Sequence, residues 1–159
     1  MTFETILGTL WLNANQTALT ELSYTPIEEH PDANQAILQT AKKQLLAFLK
    51  GERQTFDVPF AFERGTDFQQ AVWQALIEIP YGETCSYLDV AEKLQRPKAV
   101  RAIGQANRQN PLPILIPCHR VIGKNGKLTG YSGSSEAGLK IKEQLLAIEN
   151  PALQEITLF

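Results

Sequence analysis

The chain has 159 residues, of which 43% are apolar and 20% charged, and a formal net charge of −2. That length suits one domain or two small ones, and that composition excludes a disordered or fibrous chain. A pI near 5.7 excludes an all-over basic nucleic-acid binder. The balance is uneven along the chain, however. Residues 1–81 hold 5 basic and 10 acidic side chains, residues 82–142 hold 10 and 4, and residues 143–159 hold 3 acids. A basic middle segment of this kind points to a local anionic partner. Two cysteines and two histidines supply neither a disulfide framework nor zinc-finger spacing. The acidic start, Met1-Thr2-Phe3-Glu4, is unlike a secretory signal. The longest apolar run, residues 45–49, falls far short of the ~20 residues that span a bilayer. The expectation is a soluble, cytoplasmic protein with reduced thiols, no membrane contact, and no metal or cofactor.

In chain order, residues 5–12 and 18–24 are apolar-rich runs around Asn13-Ala14-Asn15, which predicts a β-hairpin. Beyond Pro31-Asp32, Ile37, Leu38, Ala41, Leu45, Phe48 and Leu49 recur at helical spacing, and Gly51 is placed to end that helix. Residues 56–62 alternate loosely enough to add an edge strand, with Pro59 limiting its pairing. No catalytic constellation falls in residues 1–62. Residues 1–65 therefore read as a small structural α/β domain, an antiparallel sheet with a helix. Residues 66–159 read as a mainly helical second domain, so the chain as a whole is α+β.

Thr66 with Gln69 forms a capping box opening a helix with Phe68, Ala71, Val72, Ala75, Leu76 and Ile79 on one face. Pro80-Tyr81-Gly82 ends it. Ser86 with Asp89 opens a short helix over residues 87–94 that buries Val90, Ala91 and Leu94. After Gln95-Arg96, Pro97 suits the first turn of a third helix running to about Asn107, with Val100 and Ile103 inward. Two short helices so joined match the helix-turn-helix arrangement. Arg96, Lys98, Arg101 and Arg108 lie on or beside the second of them. Pro111, Pro113 and Pro117 among apolar residues then predict a stiff, extended, buried segment leading into Cys118-His119-Arg120-Val121-Ile122. Gly123-Lys124-Asn125-Gly126-Lys127 is a turn with two cations, and Gly130-Tyr131-Ser132-Gly133 follows. A last helix, with Leu139, Leu145, Leu146 and Ile148 inward, stops at Asn150-Pro151.

Cys118 carries the chemistry. A thiol attacks as thiolate, so it needs a base or a positive field nearby. His119 is adjacent, and Arg120 adds a cation. Neighbours on an extended segment point to opposite sides, so a bridging water is one route for the proton. A carboxylate would orient the imidazole, with Glu149 and Glu143 as the candidates. The alternative is an inert, buried cysteine.

Ile116-Pro117-Cys118-His119-Arg120-Val121-Ile122 resembles the active-site signature of the O6-alkylguanine-DNA alkyltransferases, the methylated-DNA–protein-cysteine methyltransferases. The resemblance extends, in order and spacing, through residues 68–76, Pro80-Tyr81-Gly82-Glu83-Thr84, Ser86-Tyr87, Pro97-Lys98-Ala99-Val100-Arg101-Ala102, Asn110-Pro111 and Gly130-Tyr131-Ser132-Gly133. It is strong over residues 66–149 and weak over 1–65. It implies single-turnover transfer of an alkyl group from O6-alkylguanine in double-stranded DNA, and less efficiently from O4-alkylthymine, to Cys118. His119, through a water and supported by Glu149, would take the thiol proton. Arg101 would fill the stack left by the flipped base, and Tyr87 would press on the target phosphate and help protonate the departing guanine. Arg96, Lys98, Ala99, Arg108, Lys124 and Lys127 would contact DNA. Ser132 and the Tyr131–Gly133 loop would meet the guanine oxygen, and the carbonyls of Cys118 and Val121 its amino group. Asn110 would tie the helix-turn-helix to the active-site strand, and Pro113 would wall the pocket. A base inside a duplex must be flipped out to react, which agrees with these roles. A monomer is implied, with association along DNA left open.

Three departures stand out. Gln95 sits where the family often has glycine, so it must adopt the conformation that glycine serves, or the turn is built differently. Residues 134–138 lengthen the link after Gly133, and Ile148 replaces a histidine common before the family's glutamate. The rival readings are a lesion-binding relative that transfers nothing, a regulator switched by alkylation, and a Cys-His hydrolase. Cys118 argues against the first, since such relatives carry tryptophan there. At 159 residues the chain is expected to leave no room for the sensor domain of the second, and no separate Gly-rich element follows a predicted strand to give the third an oxyanion hole.

Overall fold

The computed structural model describes residues 1–123 and 136–151. The chain divides into two compact units, Met1–Arg64 and Gly65–Phe159, and its described residues form a mixed α+β structure.

In the first unit, β1 (Thr2–Thr5), β2 (Gly8–Ala14) and β3 (Leu19–Ser23) form an antiparallel sheet in that order. The expected single strand over residues 5–12 is broken by a tight turn. Thr5 pairs with Gly8, and its Oγ1 accepts from Leu7 N at 3.0 Å. Ile6, 65% exposed, sits at the tip, so apolar residues disguised a turn that Gly8 permits with φ of +104°. The β2–β3 connection also lies later than expected. Asn15 Oδ1 accepts from Thr17 N and Ala18 N at 2.9 and 2.8 Å. Helix α1 (Gln35–Leu49) is capped by Asn34 and buries Leu38, Ala41, Leu45, Phe48 and Leu49 on β2 and β3. Residues 56–62 form no strand. They touch the sheet at one bridge, where Leu19 N donates to Pro59 O and Ala61 N to Leu19 O, at 2.8 and 3.0 Å.

In the second unit, α2 (Asp67–Ile77) and α3 (Tyr87–Lys93) each start with the expected capping box, Thr66 with Gln69 and Ser86 with Asp89. The buried face of α2 is Val72, Trp73, Ala75 and Leu76, while Ala71 is exposed. Trp73 was not foreseen. Its Nε1 donates to Ala106 O at 2.8 Å and anchors α4 (Val100–Arg108) to α2. Helix α4 begins later than Pro97 suggested, because residues 97–99 form a turn closed by Ala99 N donating to Arg96 O at 2.9 Å. The shift leaves Val100 38% exposed, not inward, while Ile103 is fully buried. Gln95 holds φ of +59°, the left-handed conformation for which glycine is best suited.

The proline-rich stretch is buried as expected but is not extended. Pro113 and Ile116 bridge across a tight turn, and Ile116 N donates to Leu112 O at 2.9 Å. Ile114 takes φ of +79°, a costly state for a β-branched residue, stabilised here by its complete burial. After a 3₁₀ turn at Cys118–Arg120, the two-residue strand β5 (Val121–Ile122) pairs in parallel with β4 (Cys85–Ser86), Cys85 with Val121 and Ser86 with Ile122. Helix α5 (Glu136–Glu149) packs on the 3₁₀ turn. Among the described residues, no helix is long and apolar enough to cross a membrane.

Replacing Gln95 by glycine removes the left-handed penalty of an L-side chain. We expect Gln95→Gly to raise unfolding free energy by about 1 kcal/mol in urea titrations. A loss of stability would show that the Gln95 side chain makes a compensating contact.

Candidate active site around Cys118

Cys118, His119 and Arg120 are all buried in one 3₁₀ turn. An extended segment would alternate its side chains, whereas a 3₁₀ turn fans three successive ones about 120° apart. Each therefore meets different partners. Pro117, at φ −77° and ψ 63°, creates an inverse γ-turn in which Cys118 N donates to Ile116 O at 2.7 Å. Asn110 is buried after the end of α4. Its Nδ2 donates to the same Ile116 O at 2.8 Å, and its Oδ1 accepts from Leu112 N at 2.9 Å.

His119 has no exposed surface, and its Nε2 lies 2.5 Å from Glu149 Oε2. Of the two acids considered, Glu149 is the one that meets the imidazole. It also receives Arg120 Nε at 2.8 Å, Arg120 Nη2 at 3.0 Å and Gly82 N at 3.0 Å. Burial alone would push this carboxyl up. The hydrogen bonds and charges of His119 and Arg120 outweigh that and bring it to about 2. Glu149 is thus ionised at neutral pH and can only accept, so Nε2 carries the imidazole proton. Burial lowers the His119 pKa despite the opposing pull of Glu149, which keeps the ring neutral. Nδ1, buried and without a hydrogen-bond partner among the described residues, therefore keeps its lone pair for use as a base.

Arg120 does not serve the thiol. Besides Glu149, it donates Nη1 to Ile79 O at 2.7 Å, and its guanidinium lies 5.6 Å from the Tyr81 ring centroid. Among the described residues, the cation that acts on Cys118 is Lys142, a fully buried residue of α5 with no local signal in the sequence. Its Nζ donates to Val121 O at 2.5 Å and lies 5.9 Å from the Tyr87 ring centroid. Burial pushes the Cys118 thiol up to about 11, against the lowering effects of Asn110, Lys142 and the Cys118 and His119 amides. Burial likewise brings Lys142 down to about 8, opposed by Cys118.

Tyr87 is half-buried at the start of α3, directly after Ser86, which the β4–β5 ladder pairs with Ile122. Pro113 and Val121 are buried. Arg96, Lys98, Arg101 and Arg108 are exposed, and Ala99 is half-buried. Arg101 and Arg108, seven residues apart, share one face of α4. Lys124, Lys127, Tyr131, Ser132 and Gly133 lie outside the described residues, as do 134 and 135 of the lengthened link. Among the described residues, no group of three or more His, Cys, Asp or Glu could hold a metal ion.

Residues 67–151 match the family profile described as 6-O-methylguanine DNA methyltransferase, DNA binding domain. The constitutive methylated-DNA–protein-cysteine methyltransferase of Bacillus subtilis is 46% identical, over 97% of this chain and 96% of its own. This chain belongs to the O6-methylguanine-DNA methyltransferase family. A family member from Methanosarcina acetivorans is also 46% identical, over 92% of this chain and 95% of its own. The crystal structure of Mycobacterium tuberculosis OGT in complex with DNA superposes with a TM-score of 0.80 at 44% identity, covering 94% of this chain and 91% of that one. The family profile contains the whole Cys118 constellation, from Ile79 to Glu149.

Two outcomes are expected from the electrostatics. Glu149→Gln strands the buried Arg120 charge, and urea unfolding should show a loss of about 3 kcal/mol at pH 7. The Glu149 carboxyl is lower when folded than unfolded, so its contribution is complete above pH ~4.5 and fades as pH falls towards 2. That acid limb should vanish in the variant. In a Cys85→Ser background, Lys142→Met should slow iodoacetamide labelling of Cys118 about tenfold between pH 6 and 8, where Lys142 holds its charge, with Lys142→Arg restoring it. Unchanged labelling would remove Lys142 from the thiol's field.

Proposed function

We propose that this protein repairs DNA by direct reversal, moving the alkyl group of O6-alkylguanine onto the sulfur of Cys118. The observation that carries the reading is a buried thiol on the same turn as a neutral imidazole, whose Nε2 is held by ionised Glu149 and whose Nδ1 has no hydrogen-bond partner among the described residues. Its relatives are named methylated-DNA–protein-cysteine methyltransferases, and a relative's crystal structure holds DNA.

In the reaction, His119 Nδ1 accepts the thiol proton through a water as sulfur attacks the alkyl carbon. The S–C bond forms, the C–O6 bond breaks, and the electron pair stays on guanine. The Tyr87 hydroxyl helps protonate the departing base. A thioether offers water no leaving group, so the product is permanent and each molecule acts once. O4-alkylthymine is a poorer substrate.

Helices α3 and α4 act as a helix-turn-helix, a reading favoured by the exposed cations of α4 and its approach. Arg96, Lys98, Ala99, Arg108, Lys124 and Lys127 meet the backbone, which gives affinity without sequence preference. Arg101 enters the stack as the damaged nucleotide leaves, offsetting the few kcal/mol of lost pairing. The carbonyls of Cys118 and Val121 face the guanine amino group, Ser132 and the Tyr131–Gly133 loop its oxygen, and Pro113 closes one wall. One chain carries every group that the transfer needs, so the protein acts as a monomer.

Incubation with duplex DNA containing O6-methylguanine should place one methyl on Cys118 and none on Cys85 in peptide mass maps. Repeated turnover, or an unmodified Cys118, overturns the reading. Arg101→Ala should slow repair of the duplex at least tenfold more than reaction with free O6-benzylguanine. Equal losses would deny Arg101 a part in flipping.

A further inference from the structure

Both backbone polar groups of Cys118 lead back to the end of one helix. Its N–H donates to Ile116 O, and that oxygen is held by Asn110 Nδ2. Its carbonyl accepts Val121 N, and Asn107 Nδ2 approaches the same oxygen at 3.4 Å. Asn107 is 2% exposed and projects from the last turn of α4. A carbonyl can only accept, so the NH₂ end of the amide is the one that faces it. The other end, Oδ1, is buried without a hydrogen-bond partner among the described residues. Leaving a buried acceptor unpaired is destabilising, and an apolar residue of the same shape would avoid it. The amide is thus kept at a cost in stability, and the group it serves is the Cys118 carbonyl.

We propose that Asn107 is a positioning residue for the nucleophile, the second arm of a bracket in which Asn107 and Asn110 hold Cys118 at its carbonyl and amide sides. The inference rests on the reading of Cys118 as alkyl acceptor and α4 as the DNA-docking helix. Asn107 lies on the face of α4 away from Arg101 and touches no phosphate. Its tie makes the Cys118 peptide move with α4, so that seating the helix on DNA also sets where the sulfur lies. Trp73 Nε1 on Ala106 O, one residue before, fixes that end of the helix from the other side.

The test uses Asn107→Leu, which keeps the shape and removes the donor, and Asn107→Asp, which turns an acceptor towards the carbonyl. Methyl transfer from duplex O6-methylguanine is followed in single-turnover time courses at saturating DNA, with DNA affinity measured separately. Expected is a transfer rate about tenfold lower for the leucine variant and lower still for aspartate, with affinity within twofold of the parent. A folded leucine variant that transfers at the parent rate, or loses only affinity, overturns the inference. Should neither variant fold, the parent decides through side-chain amide exchange. Slow exchange of the Asn107 NH₂ protons, and a resonance shift on alkylation of Cys118, support the tie, while rapid exchange with no shift overturns it. If the parent itself places no methyl on Cys118, the proposed function fails first, and the two failures are distinguishable.

Discussion

Glu149 shares its two carboxylate oxygens among four donors: His119 Nε2, Arg120 Nε and Nη2, and Gly82 N. Those donors come from the 3₁₀ turn and from the loop after α2, while the acid itself ends α5. One buried charge therefore joins three separate stretches of chain. It also decides the chemistry, because an ionised carboxylate fixes the imidazole tautomer and so determines which nitrogen remains basic. Arg120 makes this arrangement sustainable. Without its bidentate partner, the buried anion would draw its proton back and the histidine would lose its orientation.

Around this centre the site is assembled from short, individually weak pieces. A parallel ladder of only two residue pairs sets Ser86 beside Ile122, and Lys142 Nζ lies 5.9 Å from the ring centroid of Tyr87 that follows it. A single indole hydrogen bond anchors the end of α4. A strained isoleucine closes the turn before Pro117. None would hold alone in water, and the segment that carries Cys118 is held by the complete burial of Leu112, Ile114, Ile116 and Val121.

What could be read in the sequence follows from how local each signal is. The capping boxes of α2 and α3 are complete within four residues, so Thr66 and Ser86 declared themselves. The turn at Ile6 and Leu7 did not, because its tip is apolar and its cause is the glycine that follows. Prolines at 111, 113 and 117 announced that helix was impossible but said nothing about the tight turn they form instead. The Cys118 thiol and its histidine neighbour were visible, yet the partner of that histidine lies thirty residues on, and the need for a carboxylate left Glu149 and Glu143 both open until the resemblance favoured one. The partners of Lys142, Trp73 and Asn107 gave no signal. Each of these side chains acts through one long-range hydrogen bond to a backbone carbonyl, and any carbonyl looks alike in a sequence.

The raised pKa of Cys118 bears on how long the protein, in its proposed function, stays useful. A reagent that works once cannot afford to be consumed by stray oxidants or electrophiles, and those react with thiolates. Burial keeps the sulfur protonated at rest, while the base proposed to take the proton stands on the neighbouring residue. The same dry enclosure that slows the free thiol thus preserves it, and a molecule waiting long for a rare lesion still carries its sulfur intact.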